Sequence, residues 1–251
     1  MIDLHGRRAA VTGASRGIGA AAARLLARCG ADVAVGYKSR GADAEAVAAD
    51  ARAAGVHAVT VAADLATRDG CERFVADVVE RLGGLDLVVL NAGVWPAEDV
   101  AVADMDDERW RRTMAENVDS MFWLSRAAAR VMERDGRIVM VSSTAGQRGE
   151  AFHADYAASK GAMISFVKSL AVELAPRGIA VNCVAPGWVD TEMTVDAMRD
   201  GGRERIAATI PVRRVASADD VAGPIVFLCS AQARHVIGEI LNVNGGSVLC
   251  G

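Results

Sequence analysis

TGASRGIG, residues 12–19, decides how this chain is read. A short apolar run, 9–12, leads into it, and an Ala- and Leu-rich run of helical character, 17–27, leads out. Gly13, Gly17 and Gly19 stand between the two in the spacing Gly-x-x-x-Gly-x-Gly, with Ser15, Arg16 and Ile18 filling the turn. Glycines at a strand-to-helix turn let backbone approach a pyrophosphate closely. The helix start adds unbonded N–H groups and the positive end of its dipole. The stretch is therefore expected to cradle the phosphates of a dinucleotide.

The same alternation continues along the chain. Runs rich in Val and Ile at 32–35, 58–62, 87–90, 138–141 and 180–184 read as buried strands, with a last strand at 240–243. Helical stretches lie at 42–54, 68–82, 107–133, 156–175 and 218–230. Gly30, Gly55 and Gly83 punctuate helix ends, where a left-handed residue is wanted. Alternating β and α elements imply an α/β, Rossmann-type doubly wound parallel sheet of about seven strands with helices on both faces. One domain over 1–251 is expected, since no linker or internal repeat interrupts it. Residues 187–217 form a polar stretch that follows a strand and carries Gly201-Gly202. It is either a lid at the ligand edge or a plain surface excursion.

Composition narrows the classes. The chain has 251 residues, 52% hydrophobic and 24% charged, with a net charge of −4. That describes a globular protein with a sizeable core. No basic run suggests nucleic acid, and no apolar run is long enough to cross a bilayer. The opening MIDLHGRRAAVTG lacks an apolar leader segment. Cys29, Cys71, Cys183, Cys229 and Cys250 are scattered, with no CxxC pair or His at ligand spacing. Free thiols in a reducing cytoplasm are expected, and no metal site.

The second strand bears on which dinucleotide is held. An NAD site usually carries an acid at this strand's carboxyl end, for the ribose 2′-hydroxyl. Here that end reads Gly36-Tyr37-Lys38-Ser39-Arg40, and Asp32 is at the other end. Arg16 and Lys38 can together hold a 2′-phosphate, so NADP(H) is expected, with Arg40 a solvated surface base. Asp64-Leu65 and Asn91-Ala92-Gly93 follow the third and fourth strands. They are expected to meet the adenine and its ribose at the sheet's carboxyl edge.

Tyr156 and Lys160 lie four residues apart on one predicted helix face. A free Tyr has a pKa of about 10, and a neighbouring ammonium is expected to draw it down toward working pH. Alone, such a pair is commonplace on solvated helices.

TGASRGIG, Asn91-Ala92-Gly93, Asn117, Ser143, Tyr156-x-x-x-Lys160 and Pro186-Gly187 occur here in the order and spacing of the short-chain dehydrogenase/reductase family, which the chain resembles from residue 4 to 251. The resemblance implies roles. Tyr156 matches the proton donor, and Lys160 the residue that tunes it and bonds the nicotinamide ribose. Ser143 matches the hydroxyl that holds the substrate oxygen, and spacing favours it over Ser142. Asn117 matches the anchor of a water in the proton relay. Pro186, Gly187, Val189 and Thr191 match contacts to the nicotinamide end. His153 has no matching role and reads as a pocket-wall or surface residue.

Within that family the chain looks most like the 3-oxoacyl-[acyl-carrier-protein] reductases, through SSTAGQRGEAFHADYAASKGAM, NCVAPGWVDTEM and GEILNVNGG. This implies an acyl-thioester substrate, with Arg134 and Arg177 docking an acidic carrier protein. Equally, those bases can serve helix ends. Trp95-Pro96 departs from the small residues expected there. With His153, Trp188 and Met193 it suggests a narrow mouth, which keeps reductases of polyketide intermediates and dehydrogenases of sugars or cyclic alcohols open. A dinucleotide-binding regulator without turnover is a further class, against which the presence of both Tyr156 and Lys160 counts. The family is commonly tetrameric, so a homotetramer is expected, paired through the long helices and the 237–251 tail.

Overall fold

The computed structural model describes residues 2–249. Cys250 and Gly251, which include the end of the expected interface tail, lie outside them. Seven strands form one parallel sheet: β1 (Arg8–Val11), β2 (Asp32–Tyr37), β3 (Ala58–Ala62), β4 (Leu87–Leu90), β5 (Arg137–Val141), β6 (Ala180–Pro186) and β7 (Ile240–Val243). Their spatial order is β3-β2-β1-β4-β5-β6-β7, so the order reverses between β1 and β4. Ligands of such sheets bind at the carboxyl edge beside that reversal.

Side-chain alternation divides the core. Ala9 and Val11 of β1, Val33 and Val35 of β2, and Leu87 and Val89 of β4 face one cluster, with helices α1 (Gly17–Arg28) and α2 (Gly41–Ala53). Ala10, Ala34, Val88 and Leu90 face the other, with α3 (Arg68–Leu82). A period of two residues thus fills both faces of the same strands, which is why they read as continuous apolar runs. The helix α3 starts at Thr67, whose side chain accepts from the Gly70 N–H, and ends at Gly83 in the left-handed conformation (φ 75°).

The expected single helix over 107–133 is divided. It comprises α4 (Asp107–Met114), a π-helical turn (Ala115–Asp119) and α5 (Ser120–Val131). Wider hydrogen bonding in the π turn shifts the register of the following face, and such turns concentrate at functional sites. Two helices were not legible in the sequence. The five-residue α6 (Thr144–Arg148) is too short to show periodicity, and α8 (Gly202–Thr209) begins at Gly201-Gly202, a pair that reads as a breaker. Gly201 takes φ +76° as the residue before that helix. The remaining helices are α7 (Ala154–Leu174) and α9 (Ala218–Cys229). The stretch 187–217 therefore has structure: two short 3₁₀ turns, α8, and an isolated bridge between Val189 and Ala216. Among the described residues, no helix is long and apolar enough to cross a membrane. Cys71, Cys183 and Cys229 are buried free thiols, and Cys29 is half-buried. Burial pushes the buried three up to about 12.

Candidate active site

The β1 and β4 turns are tied into one unit. The Thr12 hydroxyl oxygen accepts from the N–H groups of Asn91 and Ala92, both at 3.0 Å. The Asn91 carboxamide donates to the carbonyls of Thr12 (3.0 Å) and Gly13 (3.2 Å). Glycine is required here by space. A Cβ on Gly19 would sit 2.5 Å from the Gly13 oxygen, and one on Gly13 would sit 2.9 Å from the Ala92 Cα. Gly13 and Gly17 also have φ of +61° and +55°.

A cleft opens over this turn, lined by Gly13, Ser15, Arg16, Gly17, Ile18, Lys38, Asp64, Leu65, Asn91, Ala92 and Gly93. The predicted dinucleotide contacts from the first four βα turns therefore face one cavity. Gly19 lies beneath it, packed on Gly13 and Asn91. Two details differ from expectation. Lys38 pairs with Asp64 at 2.9 Å, so the base expected at a phosphate and the acid expected at the adenine hold each other. Arg40, expected to be an uninvolved surface base, also lines the cleft. It meets Glu192 there, as Arg16 does.

A second cavity adjoins the first, sharing Ile18, Asn91, Gly93 and Thr191. It holds Ser143, Tyr156, Lys160, Pro186, Gly187 and Val189. Ser143 stands at the start of α6, accepting from the Ala145 N–H at 3.1 Å, and its hydroxyl acts to lower the pKa of the Tyr156 phenol in the same cavity. Ser142 also lines the cavity, but its hydroxyl donates to the Lys160 carbonyl at 2.9 Å. Lys160 is buried; its Nζ donates to the Val141 carbonyl at 2.8 Å and lies 5.7 Å from the centre of the Tyr156 ring.

The electrostatics correct one expectation. Burial pushes the Tyr156 phenol up to about 12, opposed by the Ser143 hydroxyl and aided by the Glu150 charge. Burial also pushes Lys160 down to about 8. Burial is the largest cause of both shifts, and it moves the phenol away from working pH rather than toward it.

Asn117 does not point to solvent. The π turn aims its carboxamide inward, where Oδ1 accepts from the Val94 N–H (2.8 Å) and Nδ2 donates to the Val94 carbonyl (2.9 Å) and the Ser159 Oγ (3.0 Å). It clamps the β4 loop to α7 one residue before Lys160. Sequence reasoning missed Asp155. This fully buried carboxylate accepts from the Thr113 hydroxyl (2.8 Å) and the Arg109 Nε (3.2 Å) and anchors α7 directly before Tyr156. An acid preceding the Tyr in sequence was its only signal.

The mouth is aromatic and acidic. Trp95 stacks on His153 at 5.1 Å and meets Trp188 edge-on at 5.9 Å. Glu150 lines the catalytic cavity and the outer vestibule, which adds Asp99, Phe152 and Asp196 but no Lys or Arg. Burial raises the Glu150 carboxyl above its usual range, partly offset by His153, Arg148 and the Trp95 hydrogen bond. Arg134 and Arg177 are elsewhere. They precede β5 and β6 at the amino edge of the sheet, and Arg177 donates to the Ala129 and Met132 carbonyls at the end of α5.

Comparison with known proteins agrees with this geometry. A family model described as enoyl-(acyl carrier protein) reductase matches residues 13–247. The chain is 40% identical to an L-rhamnose 1-dehydrogenase (NAD(P)(+)) of Azotobacter vinelandii, over 94% of each chain. It is 39% identical to the 3-oxoacyl-[acyl-carrier-protein] reductase FabG of Vibrio cholerae, over 98% of each. Among solved structures, a short-chain dehydrogenase from Burkholderia cenocepacia in complex with NADP superposes with a TM-score of 0.91 at 39% identity, covering 97% of this chain and 98% of that one. With the glycine turn, the Ser143–Tyr156–Lys160 constellation and the sheet order on the same chain, the protein belongs to the short-chain dehydrogenase/reductase family.

Proposed function

We propose that this protein is an NADP(H)-linked oxidoreductase that interconverts a ketone and a secondary alcohol on a compact, polar substrate. The observation that carries the chemistry is that Ser143, Tyr156 and buried Lys160 line one cavity. A bound nicotinamide dinucleotide would supply or accept the hydride. Ser143 and Tyr156 bond the substrate oxygen as negative charge develops on it. Tyr156 then donates its proton to that oxygen, and Lys160 holds the nicotinamide ribose. Asn117 keeps the Val94 backbone and α7 in register beside them. Fixed donors in a closed pocket remove the entropy cost of the encounter. The bases Arg16, Lys38 and Arg40 in the cleft, with no acid at the β2 end, support NADP(H) over NAD(H).

Substrate class follows from the mouth. Trp95 and Trp188 narrow it, and Glu150 and Asp99 with Arg148 offer acceptors and a donor to substrate hydroxyls. These features support a small hydroxylated substrate, of which a sugar oxidised at a secondary ring hydroxyl or a cyclic alcohol is the type. The second reading is reduction of a 3-oxoacyl thioester, favoured by 39% identity to FabG across 98% of the chain. Arg134 and Arg177 lie at the sheet edge opposite Ser143, so carrier docking through them serves this reading only through a neighbouring subunit's site. Exposed Phe122, Val131 and Val172 on α5 and α7 support the homotetramer, which sedimentation tests. The substrate experiment compares kcat/KM for NADP⁺ with a panel of sugars and cyclic alcohols against NADPH with an acetoacetyl thioester. Turnover confined to the thioester overturns the first reading.

A further inference from the structure

We propose that Glu192 is an internal counter-ion for the 2′-phosphate subsite, and that NADP must displace it where NAD need not. This rests on the NADP(H) reading above. Its carboxylate bridges two bases from different βα turns. Oε2 lies 2.5 Å from the Arg16 Nη1 and 2.9 Å from the Arg40 Nη2, and Oε1 lies 3.3 Å from the Arg40 Nη1. Arg16 is in the glycine turn and Arg40 follows β2, so the gap between them is where a phosphate on the adenine ribose is neutralised. A carboxylate there occupies the same charge-assisted bonds a phosphate would take.

Glu192 arrives from the other wall of the cleft. It begins a 3₁₀ turn in which the Thr191 and Thr194 side chains each bond the other's backbone N–H. The Thr194 hydroxyl also donates to the Val189 carbonyl at 2.6 Å, and Val189 pairs with Ala216. The acid is thus presented by a braced turn at the head of the 187–217 stretch. Thr191, next to it, faces both the cofactor cleft and the catalytic cavity. The Arg16–Glu192–Arg40 bridge ties that stretch to the glycine turn. A 2′-phosphate takes over both guanidinium groups and releases the tie; a 2′-hydroxyl leaves it in place. Specificity for the phosphorylated cofactor is then the difference between binding the phosphate and breaking the bridge.

The test measures calorimetric binding of adenosine 2′,5′-bisphosphate and of AMP to the full chain, for wild type, Glu192→Gln and Glu204→Gln. Glu204 is exposed on α8 of the same stretch, so its variant makes the same change in net charge away from the bridge. Exposed bridges of this kind are weak, so Glu192→Gln should bind the bisphosphate about three- to tenfold more tightly, with AMP unchanged. Hydrogen exchange in 187–217 should quicken in Glu192→Gln without ligand, and in wild type when the bisphosphate binds. Equal tightening by Glu204→Gln, or unchanged bisphosphate affinity in Glu192→Gln, overturns the counter-ion role while leaving the NADP(H) reading standing. Wild type that binds AMP and the bisphosphate equally overturns the NADP(H) reading and the counter-ion role with it.

Discussion

Replacing Asn117 by Ala should destabilise the protein far more than truncating a neighbouring buried polar residue. Asn117 is fully buried and makes three hydrogen bonds, two to the Val94 backbone and one to Ser159. At about 1 kcal/mol for each bond, the loss is about 3 kcal/mol. For a chain of this size that lowers Tm by about 6–12 °C. The control is Ser125→Ala on α5. Ser125 is equally buried, but its hydroxyl has no hydrogen-bond partner among the described residues. Its loss should shift Tm by no more than about 2 °C. Thermal denaturation of both variants reads the difference. Because Val94 leads into Trp95 at the mouth, Asn117→Ala should also raise substrate KM. Equal Tm shifts in the two variants would refute the clamp, and with it the claim that the π turn exists to aim this side chain inward.

Three further outcomes follow. Gly19→Ala puts a Cβ 2.5 Å from the Gly13 oxygen and 2.6 Å from the Asn91 Nδ2, so it should abolish measurable NADPH binding by fluorescence titration; near-normal affinity would show that the turn relaxes freely. Asp155→Asn leaves the Arg109 guanidinium without its buried partner, at a cost of about 3 kcal/mol at neutral pH. Burial works to raise the Asp155 carboxyl, but its bonds from Thr113, Arg109 and the Tyr156 N–H hold it below the usual range. Its stabilising effect is thus complete above the unfolded pKa of about 3.9 and fades as pH falls through the folded value. Denaturant melts should show the variant converging on wild type only in acid. With Tyr156 pushed up to about 12, alcohol oxidation, which needs the phenolate, should rise with pH, and ketone reduction should not. Oxidation that stays flat or falls as pH rises would contradict that assignment.

The sheet was legible because both of its faces are buried. Leu87-Val88-Val89-Leu90 supplies alternate side chains to two cores, so no polar residue interrupts the run. The glycine turn was legible because only Gly fits against Gly13 and Asn91. Tyr156 and Lys160 stood out by their spacing and Ser143 through the family resemblance, and the fold brings the three together. Their acidity was not readable, since it depends on how much water each group loses and sequence spacing carries only the charge. The break at 115–119 was also hidden, because a π turn adds one residue without changing which residue types are apolar. Long-range pairs such as Arg16–Glu192 join residues far apart in the chain and have no local signature.

In the proposed reaction Tyr156 gives the proton that accompanies hydride transfer. Single-turnover oxidation of NADPH by the preferred ketone, in wild type and Tyr156→Phe, tests it most directly. With NADPH affinity retained, the variant's rate should fall by about 10²- to 10⁴-fold, the share of catalysis a positioned acid supplies. A variant that binds NADPH normally and turns over within about threefold of wild type would contradict the account.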